Sequence, residues 1–198
     1  MTLRTASIFG VVLAVASLEA AALSKKDADL FSKKVAQIMV QGEGEKKPAA
    51  TRRTSVSESE LNSWFTYSAK PLLPAGVSDP KITMIGNGKL AGQAVVDLDA
   101  IARKRQSGST FDIWNLVGGK VPLNVAGTLR TKDGVGTFNL ESADISGVPL
   151  PMTFLQEVVS YYSRTPTRPQ GVKIDDPFAL PASIRQIDVG AGQAVIVQ

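Results

Sequence analysis

The sequence contains no cysteine and no histidine among its 198 residues. Without cysteine there is no disulfide, no thiolate metal site, no cysteine nucleophile and no lipid-modified N-terminal cysteine. Without histidine, the commonest general base, the usual zinc ligand and every Ser-His-Asp triad are also missing. These two absences remove much of the enzyme repertoire. We therefore expect a protein that is not an enzyme and that holds no cofactor and no metal.

The acidic residues and serines do not form a recognisable catalytic pattern either. Asp97 and Asp99 share one strand face, and Asp175 and Asp176 are adjacent. Glycosidase chemistry needs two acids about 5–9.5 Å apart across a sugar pocket, and nothing in the sequence places such a pocket here. There is no Gly-x-Ser-x-Gly elbow and no calcium-binding loop. A carboxylate or Ser/Lys hydrolase is thus the least favoured function class.

The overall composition is that of an ordinary folded domain, with 43% hydrophobic and 20% charged residues. The formal net charge is +4, which is mildly basic. That charge would suit an anionic membrane surface, and a solvated surface explains it equally well. The basic residues are not interleaved with aromatic side chains, so we expect no nucleic-acid partner.

Residues 1–22 have the pattern of a secretory signal peptide. An apolar run over 6–18 is followed by Ala20-Ala21-Ala22, the small-x-small site that signal peptidase cuts. Glu19 ends the run short of the roughly 20 apolar residues that a spanning helix needs. We therefore expect cleavage and a periplasmic or secreted mature protein. The expected divisions are a signal peptide (1–22), an N-terminal helix and linker (23–54) and an α+β domain (55–198).

Residues 24–41 predict an amphipathic helix, followed by a polar linker over 42–54. Apolar residues recur at spacings of three and four and form one stripe: Ala28, Phe31, Val35, Ile38 and Met39. Four lysines lie off that stripe: Lys25, Lys26, Lys33 and Lys34. Basic helices can lie on membranes, so these lysines are a candidate membrane contact. Packing of the helix onto the domain is the favoured alternative.

A second helix, over 57–69, has the clearest start signal in the chain. Ser57 and Glu60 have the spacing of a capping box, in which each side chain bonds the other residue's backbone N–H. Val56 before the cap and Leu61 after it match a hydrophobic staple. Pro71 ends the helix, because the residue before a proline disfavours the α region.

From residue 77 the apolar period changes from 3.6 to 2, which predicts strands. Asn87-Gly88 is a hairpin signal between two alternating segments, and further alternation follows over 120–145. The segment 100–119 interrupts these strands as a basic surface excursion. A third helix is predicted over 151–163, and the last residues alternate again as a hairpin. The predicted fold is α+β: a curved antiparallel meander with one or two helices packed on its apolar face.

The helix that begins Ser57-Glu58-Ser59-Glu60-Leu61-Asn62 resembles a helix found in bacterial exported proteins of the tubular lipid-binding (TULIP-like) type. The order of helix, long meander and closing strands over 55–198 is similar as well. This resemblance implies a groove between helix and sheet that holds a lipid or another apolar molecule, and it implies no catalytic residues.

The candidate ligand-binding residues are apolar side chains on the two sides of that groove. The resemblance implies Leu61, Trp64 and Phe65 on the helix side. The alternation pattern adds the sheet side: Ile82, Met84, Val96, Leu98, Leu123, Val125, Phe138 and Leu140. The alternative for every one of them is a filled core, because protein interiors pack with few voids.

Two function classes therefore compete. One is an exported binding protein for a lipid or apolar ligand, which requires a cavity of roughly 300–1,000 Å³. The other is a non-enzymatic envelope scaffold or protein-interaction module, which requires a solid core and an exposed apolar patch. The identity of any protein partner does not follow from the sequence.

Overall fold

The computed structural model of the chain describes residues 22–43, 50–100 and 119–198. The predicted signal segment and the excursion that contains Trp114 therefore lie outside the described residues, apart from their ends. The elements follow in this order: α1 (Lys25–Glu43), β1 (Arg53–Ser57), α2 (Glu58–Tyr67), a short 3-10 helix (Lys70–Leu72), β2 (Val77–Gly86), β3 (Lys89–Asp97), β4 (Lys120–Lys132), β5 (Val135–Ile145), β6 (Val148–Pro149), α3 (Met152–Tyr162), β7 (Phe178–Ala179), β8 (Gln186–Val189) and β9 (Gln193–Val197).

The main sheet is an antiparallel meander in the order β2-β3-β4-β5-β6, with β7 paired to β5. Its tight turns have positive φ at both central positions, as at Asn87 (54°) and Gly88 (80°), and again at Asp133 (50°) and Gly134 (82°). Two-residue turns of this kind match the twist of the strands they join. The predicted α+β class and antiparallel meander are confirmed.

The register places the apolar residues of the meander on one face. One row across the sheet contains Ile82, Gly92, Val125 and Ala143. The neighbouring strand positions on the other face are mostly polar, as at Lys81, Gln93, Asn124 and Asp144. This alternation is what a sheet with one solvated face requires.

Two buried clusters lie at opposite ends of the apolar face. The first cluster joins Met84 to Val189 and Ala194, with Leu61, Ile82, Leu90, Leu129 and Ile187 packed around them. The second cluster joins Val96, Leu98 and Val121, with Leu123 and Ile145 around them. The closing hairpin β8-β9 thus covers one end of the sheet.

A second, three-stranded sheet has the order β1-β9-β8. Arg53 of β1 pairs with Val197 of β9, so the sheet joins distant parts of the chain. The predicted linker over 42–54 is wrong at both of its ends. Helix α1 continues through Glu43, and β1 begins at Arg53 because β9 supplies its hydrogen-bond partners.

Helix α1 packs against α2, as the favoured alternative for this helix requires. Ala28 and Ile38 are the buried residues of α1, whereas Val35 and Met39 are exposed. The predicted five-residue stripe is therefore too wide, because α1 turns only part of it toward the domain. Within the described residues, no helix has the length and apolar character needed to cross a membrane.

Candidate functional site

A groove of about 550 Å³ lies between the second half of α2, the 3-10 helix and the first half of β2. Its apolar walls come from Leu23, Phe65, Leu73, Val77 and Pro80. Polar side chains complete the lining: Asn62, Thr66, Lys70, Ser78, Asp79 and Lys81. Because β2 is the edge strand of the main sheet, the groove lies at the side of the apolar face and not over the centre of that face.

Two side chains of α2 hold the helix against β2. The Asn62 amide nitrogen donates to the Ile82 carbonyl (2.8 Å), and the Asn62 amide oxygen accepts from the Ile82 backbone N–H (2.8 Å). One turn earlier, a Glu58 carboxylate oxygen accepts from the Met84 backbone N–H (2.7 Å). Residues four apart share a helix face, so Glu58 and Asn62 together pair with the strand edge as a neighbouring strand would.

The opposite side of α2 is joined to α1 by polar contacts. The predicted capping box is confirmed, with the Ser57 hydroxyl accepting from the Glu60 N–H (3.1 Å) and Glu60 accepting from the Ser57 N–H (3.0 Å). The Lys34 ammonium group lies 2.7 and 2.8 Å from the two Glu60 carboxylate oxygens. Ser63 is fully buried, and its hydroxyl accepts from the Ser24 N–H (3.1 Å).

These contacts fix the wall that Leu23 contributes to the groove. The bond from Ser24 to Ser63 anchors the start of α1 on α2, and the Tyr67 hydroxyl lies 3.4 Å from the Leu23 carbonyl. Leu23 itself is 43% exposed, so its side chain stays accessible at the groove.

The strand wall of the groove is an irregular segment of β2. The pairing of β2 with β3 shifts register between Ser78 and Lys81, and Asp79 has a φ of 50° in the left-handed region. A bulge changes the direction in which side chains point, so Ser78, Asp79 and Pro80 can all line one groove. Non-glycine residues with positive φ are uncommon and carry strain.

The mouth of the groove carries more positive than negative charge. Lys70 and Lys81 line it together with one acidic residue, Asp79. All three side chains are exposed. None of them takes part in an ion pair with another described residue. Among the described residues, the ion pair is the one between Lys34 and Glu60.

The structure separates the predicted helix-side residues. Leu61 packs into the first cluster, whereas the Trp64 ring packs against Phe31 of α1 in a tilted arrangement, with ring centroids 5.4 Å apart. Phe65 lies 5.5 Å from Trp64 and lines the groove. Successive helical residues are about 100° apart, so Trp64 cannot share the direction of both Leu61 and Phe65.

The predicted sheet-side residues do lie together, on the apolar face. Ile82 and Met84 belong to the first cluster, and Val96, Leu98 and Leu123 belong to the second. Val125, Phe138 and Leu140 lie on the same face and are half-buried. None of these eight residues lines the groove between α2 and β2. Of all the predicted ligand-binding residues, Phe65 alone lines it.

On the apolar face, side chains of neighbouring strands lie close over two glycines. A Cβ at Gly92 would lie 2.8 Å from a methyl group of Val125. A Cβ at Gly127 would lie 2.5 Å from the ring of Phe138. The two large side chains thus occupy space that the glycines leave open, as in a packed core.

Of the residues that line the groove, Phe65 alone is among those predicted from the sequence. The motif around Asn62 does not reveal that its side chain makes both contacts with Ile82. Pro80 within an alternating strand is a signal for this site, since proline in a strand marks an edge or a bulge. Nothing in the sequence around Lys70 indicates more than the end of a helix.

Three of the four acids considered for catalysis accept hydrogen bonds from backbone N–H groups. Asp97 accepts from the Ala100 N–H (2.8 Å), and Asp99 accepts from the Gly119 N–H (3.1 Å). Asp176 accepts from the Lys173 N–H (3.0 Å). In the segments that the structure describes, no group of three or more acidic residues could hold a metal ion.

The four lysines of α1 divide between two environments. Lys25, Lys26 and Lys33 are exposed and surround a surface depression of about 430 Å³ that includes Leu30. Lys34 is turned inward, where it contacts Glu60 and the Ser55 carbonyl (2.7 Å).

No protein-family model matches this chain, and comparisons with curated proteins and with solved structures found no similar protein. The likeness to tubular lipid-binding proteins therefore stays a prediction from the sequence.

Proposed function

We propose that this protein is an exported, non-enzymatic binding protein that holds a lipid or another amphipathic molecule between α2 and β2. The observation that carries the proposal is the groove of about 550 Å³. Ligand sites commonly measure about 300–1,000 Å³ and combine apolar walls with a few polar groups. The lining of Leu23, Phe65, Leu73 and Val77 with a polar mouth has this composition.

The walls of the groove are rigidly held, which favours binding. Asn62 and Glu58 fix α2 on β2, and Ser63 fixes the start of α1 on α2. A preformed site loses less conformational entropy when the ligand enters. The proposal therefore places the ligand at the sheet edge, in contact with Phe65, and leaves the central apolar face as core.

The proposal is tested by filling the groove. Thr66 lines it and is exposed, so Thr66→Phe would place a ring in the space of the ligand. We expect native mass spectrometry of the gently purified chain to show a bound amphiphile, and we expect Thr66→Phe to lose it. Thr83→Phe is the matched control, because Thr83 is exposed on β2 and does not line the groove. A chain that carries no amphiphile and takes up none would contradict the proposal.

The exposed lysines of α1 form a candidate surface for membrane contact. Lys25, Lys26 and Lys33 surround Leu30, whose side chain is 41% exposed. Such a surface combines charge for anionic lipid headgroups with an apolar side chain. Co-sedimentation with anionic vesicles, and not with neutral ones, is expected, and the triple replacement of these lysines by glutamine should abolish it.

A second candidate, a protein-interaction module, is favoured by a different observation on α1. Val35, Met39 and Val40 are exposed there, and Val40 is 74% exposed. Exposed apolar patches mark interaction surfaces. The two candidates differ in the mass-spectrometry experiment, because an interaction module carries no amphiphile with or without Thr66→Phe.

A further inference from the structure

We infer that the ligand of the groove is an anionic amphiphile: a hydrocarbon chain with one carboxylate or phosphate head, received by Lys70 and Lys81. This inference rests on the proposed function and names the chemical class of its ligand. It depends on three observations: the apolar and polar side chains that line the groove together, the two lysines of the lining that form no ion pair with a described residue, and the bulge in the strand wall.

The lining contains two chemical kinds of side chain. Leu23, Phe65, Leu73 and Val77 are hydrocarbon, and they suit a hydrocarbon chain by removing apolar surface from water. The groups able to bind a charged head belong to other residues, namely Lys70, Lys81 and the Ser78 hydroxyl. A ligand that satisfies both kinds must itself have an apolar part and a polar part.

The sign of the head follows from the charges. Lys70 sits at the start of the 3-10 helix and Lys81 sits just after the bulge, so two different elements bring ammonium groups to one groove. Neither lysine forms an ion pair with a described residue, and Asp79 is the single acid that lines the groove. Two cations against one anion favour a head with negative charge. A carboxylate and a phosphate share this requirement.

Asp79 gives the inference an internal check. Its carboxylate lines the same groove as the two lysines, so it repels an anionic head that they attract. Removing the charge of Asp79 should therefore strengthen binding, whereas removing the charge of a lysine should weaken it. A purely apolar ligand would respond to neither change.

The experiment compares decanoate, decyl phosphate and decanol, which have the same chain and differ in the charge of the head. The readout is the fluorescence of Trp64, whose ring lies 5.5 Å from that of Phe65. The full chain carries Trp114→Phe, because its two tryptophans would otherwise both contribute to the fluorescence. Calorimetry provides a second measurement that does not depend on the fluorophore.

We expect decanoate and decyl phosphate to bind about tenfold more tightly than decanol. Each of Lys70→Gln and Lys81→Gln should weaken the binding of decanoate by about two- to fivefold, the usual range for exposed ion pairs. The double variant should remove most of the difference from decanol. Asp79→Asn should strengthen decanoate binding by a similar factor. High salt should weaken the binding of the two anions and leave decanol unchanged.

The matched control is the double variant Lys89→Gln with Lys132→Gln. Both lysines are exposed at hairpin ends, and neither lines the groove. Because this variant also loses two lysines, it has the same net charge as the Lys70/Lys81 double variant. It should bind decanoate as the parent chain does. Equal weakening by both double variants would overturn the inference, because a general charge effect would then explain the result.

The possible failures are distinguishable. If decanol binds as tightly as decanoate and the Lys70/Lys81 variant changes neither, the inference about charge is wrong and the proposed function stands. If none of the three probes binds, the proposed function is wrong as well. If decanoate binds and Thr66→Phe does not prevent it, the anion lies elsewhere and the inference is wrong.

Discussion

Asn62 is the residue on which the position of α2 most depends. It is buried, and its side-chain amide satisfies both the N–H and the carbonyl of Ile82. A buried backbone group that loses its partner keeps the cost of desolvation, about 1–3 kcal/mol. One side chain thus maintains the helix, the strand edge and one end of the groove.

Replacing Asn62 by alanine is expected to lower the free energy of unfolding by about 2–4 kcal/mol, because two backbone groups lose their partners. Denaturant unfolding followed by circular dichroism measures the change. Asn139→Ala is the control, since Asn139 is exposed and should cost less than about 0.5 kcal/mol. Equal losses in the two variants would show that Asn62 makes no special contribution.

Asp79 offers a second test at the residue scale, through its φ of 50°. Glycine adopts positive φ without steric cost, whereas a Cβ is disfavoured there. Asp79→Gly should therefore be about 1 kcal/mol more stable than Asp79→Ala in denaturant unfolding. Lys81 is not among the described residues with positive φ, so Lys81→Gly should be less stable than Lys81→Ala. The same order at both positions would contradict the assigned backbone conformation.

At the scale of elements, β2 is an edge strand whose edge is covered at Ile82 and Met84. Its outward backbone groups bond to Asn62 at Ile82, to Glu58 at Met84 N–H, and to the Gly192 N–H at the Met84 carbonyl (2.8 Å). Edge strands usually need such protection, because unpaired backbone groups attract other strands. Here side chains of a helix provide most of it.

Hydrogen exchange should detect this arrangement. We expect the Ile82 and Met84 amides to exchange slowly, as amides inside the sheet do, although β2 lies at its border. Glu58→Ala should release Met84 and leave Ile82 protected, and Asn62→Ala should do the reverse. Two-dimensional NMR resolves the two amides. Rapid exchange of both in the parent chain would rule out the bonds to the helix.

Local patterns account for the elements that the sequence predicted. Asn87-Gly88 has the local sequence of its turn, and Ser57 with Glu60 determines the start of α2. β1 was missed because its residues, apart from Val56, are polar or charged, and its strand character comes from pairing with the distant β9. The position of the groove was missed because it depends on the direction of Asn62 and on the bulge at Asp79, which tertiary contacts determine.

At the scale of the whole molecule, the two sheets differ in the sequence separation of their strands. The meander joins neighbours in the chain, as β2 does with β3. The small sheet joins Arg53 to Val197, nearly the full length of the described chain. Pairing over such a separation carries a large loop-closure cost and tends to form late in folding.

Folding kinetics should separate the two sheets. Val56→Ala and Val96→Ala both truncate buried side chains and should each cost about 2–4 kcal/mol. Val56 lies in β1, so its replacement should mainly raise the unfolding rate, whereas Val96 lies in β3 and packs within the meander, so Val96→Ala should also slow folding. Stopped-flow chevron plots measure both rates. A larger effect of Val56→Ala on the folding rate would mean that the small sheet forms first.

The side-chain bonds of Glu58 and Asn62 to β2 have a consequence for polymerisation. A fibre grows when the border of one sheet accepts a strand from the next molecule. At the β2 border, the backbone groups of Ile82 and Met84 already bond to the protein's own helix and to Gly192. At the opposite border, the described strands β6 and β7 cover only the two ends of β5, so strand addition there would begin between Thr137 and Ser142.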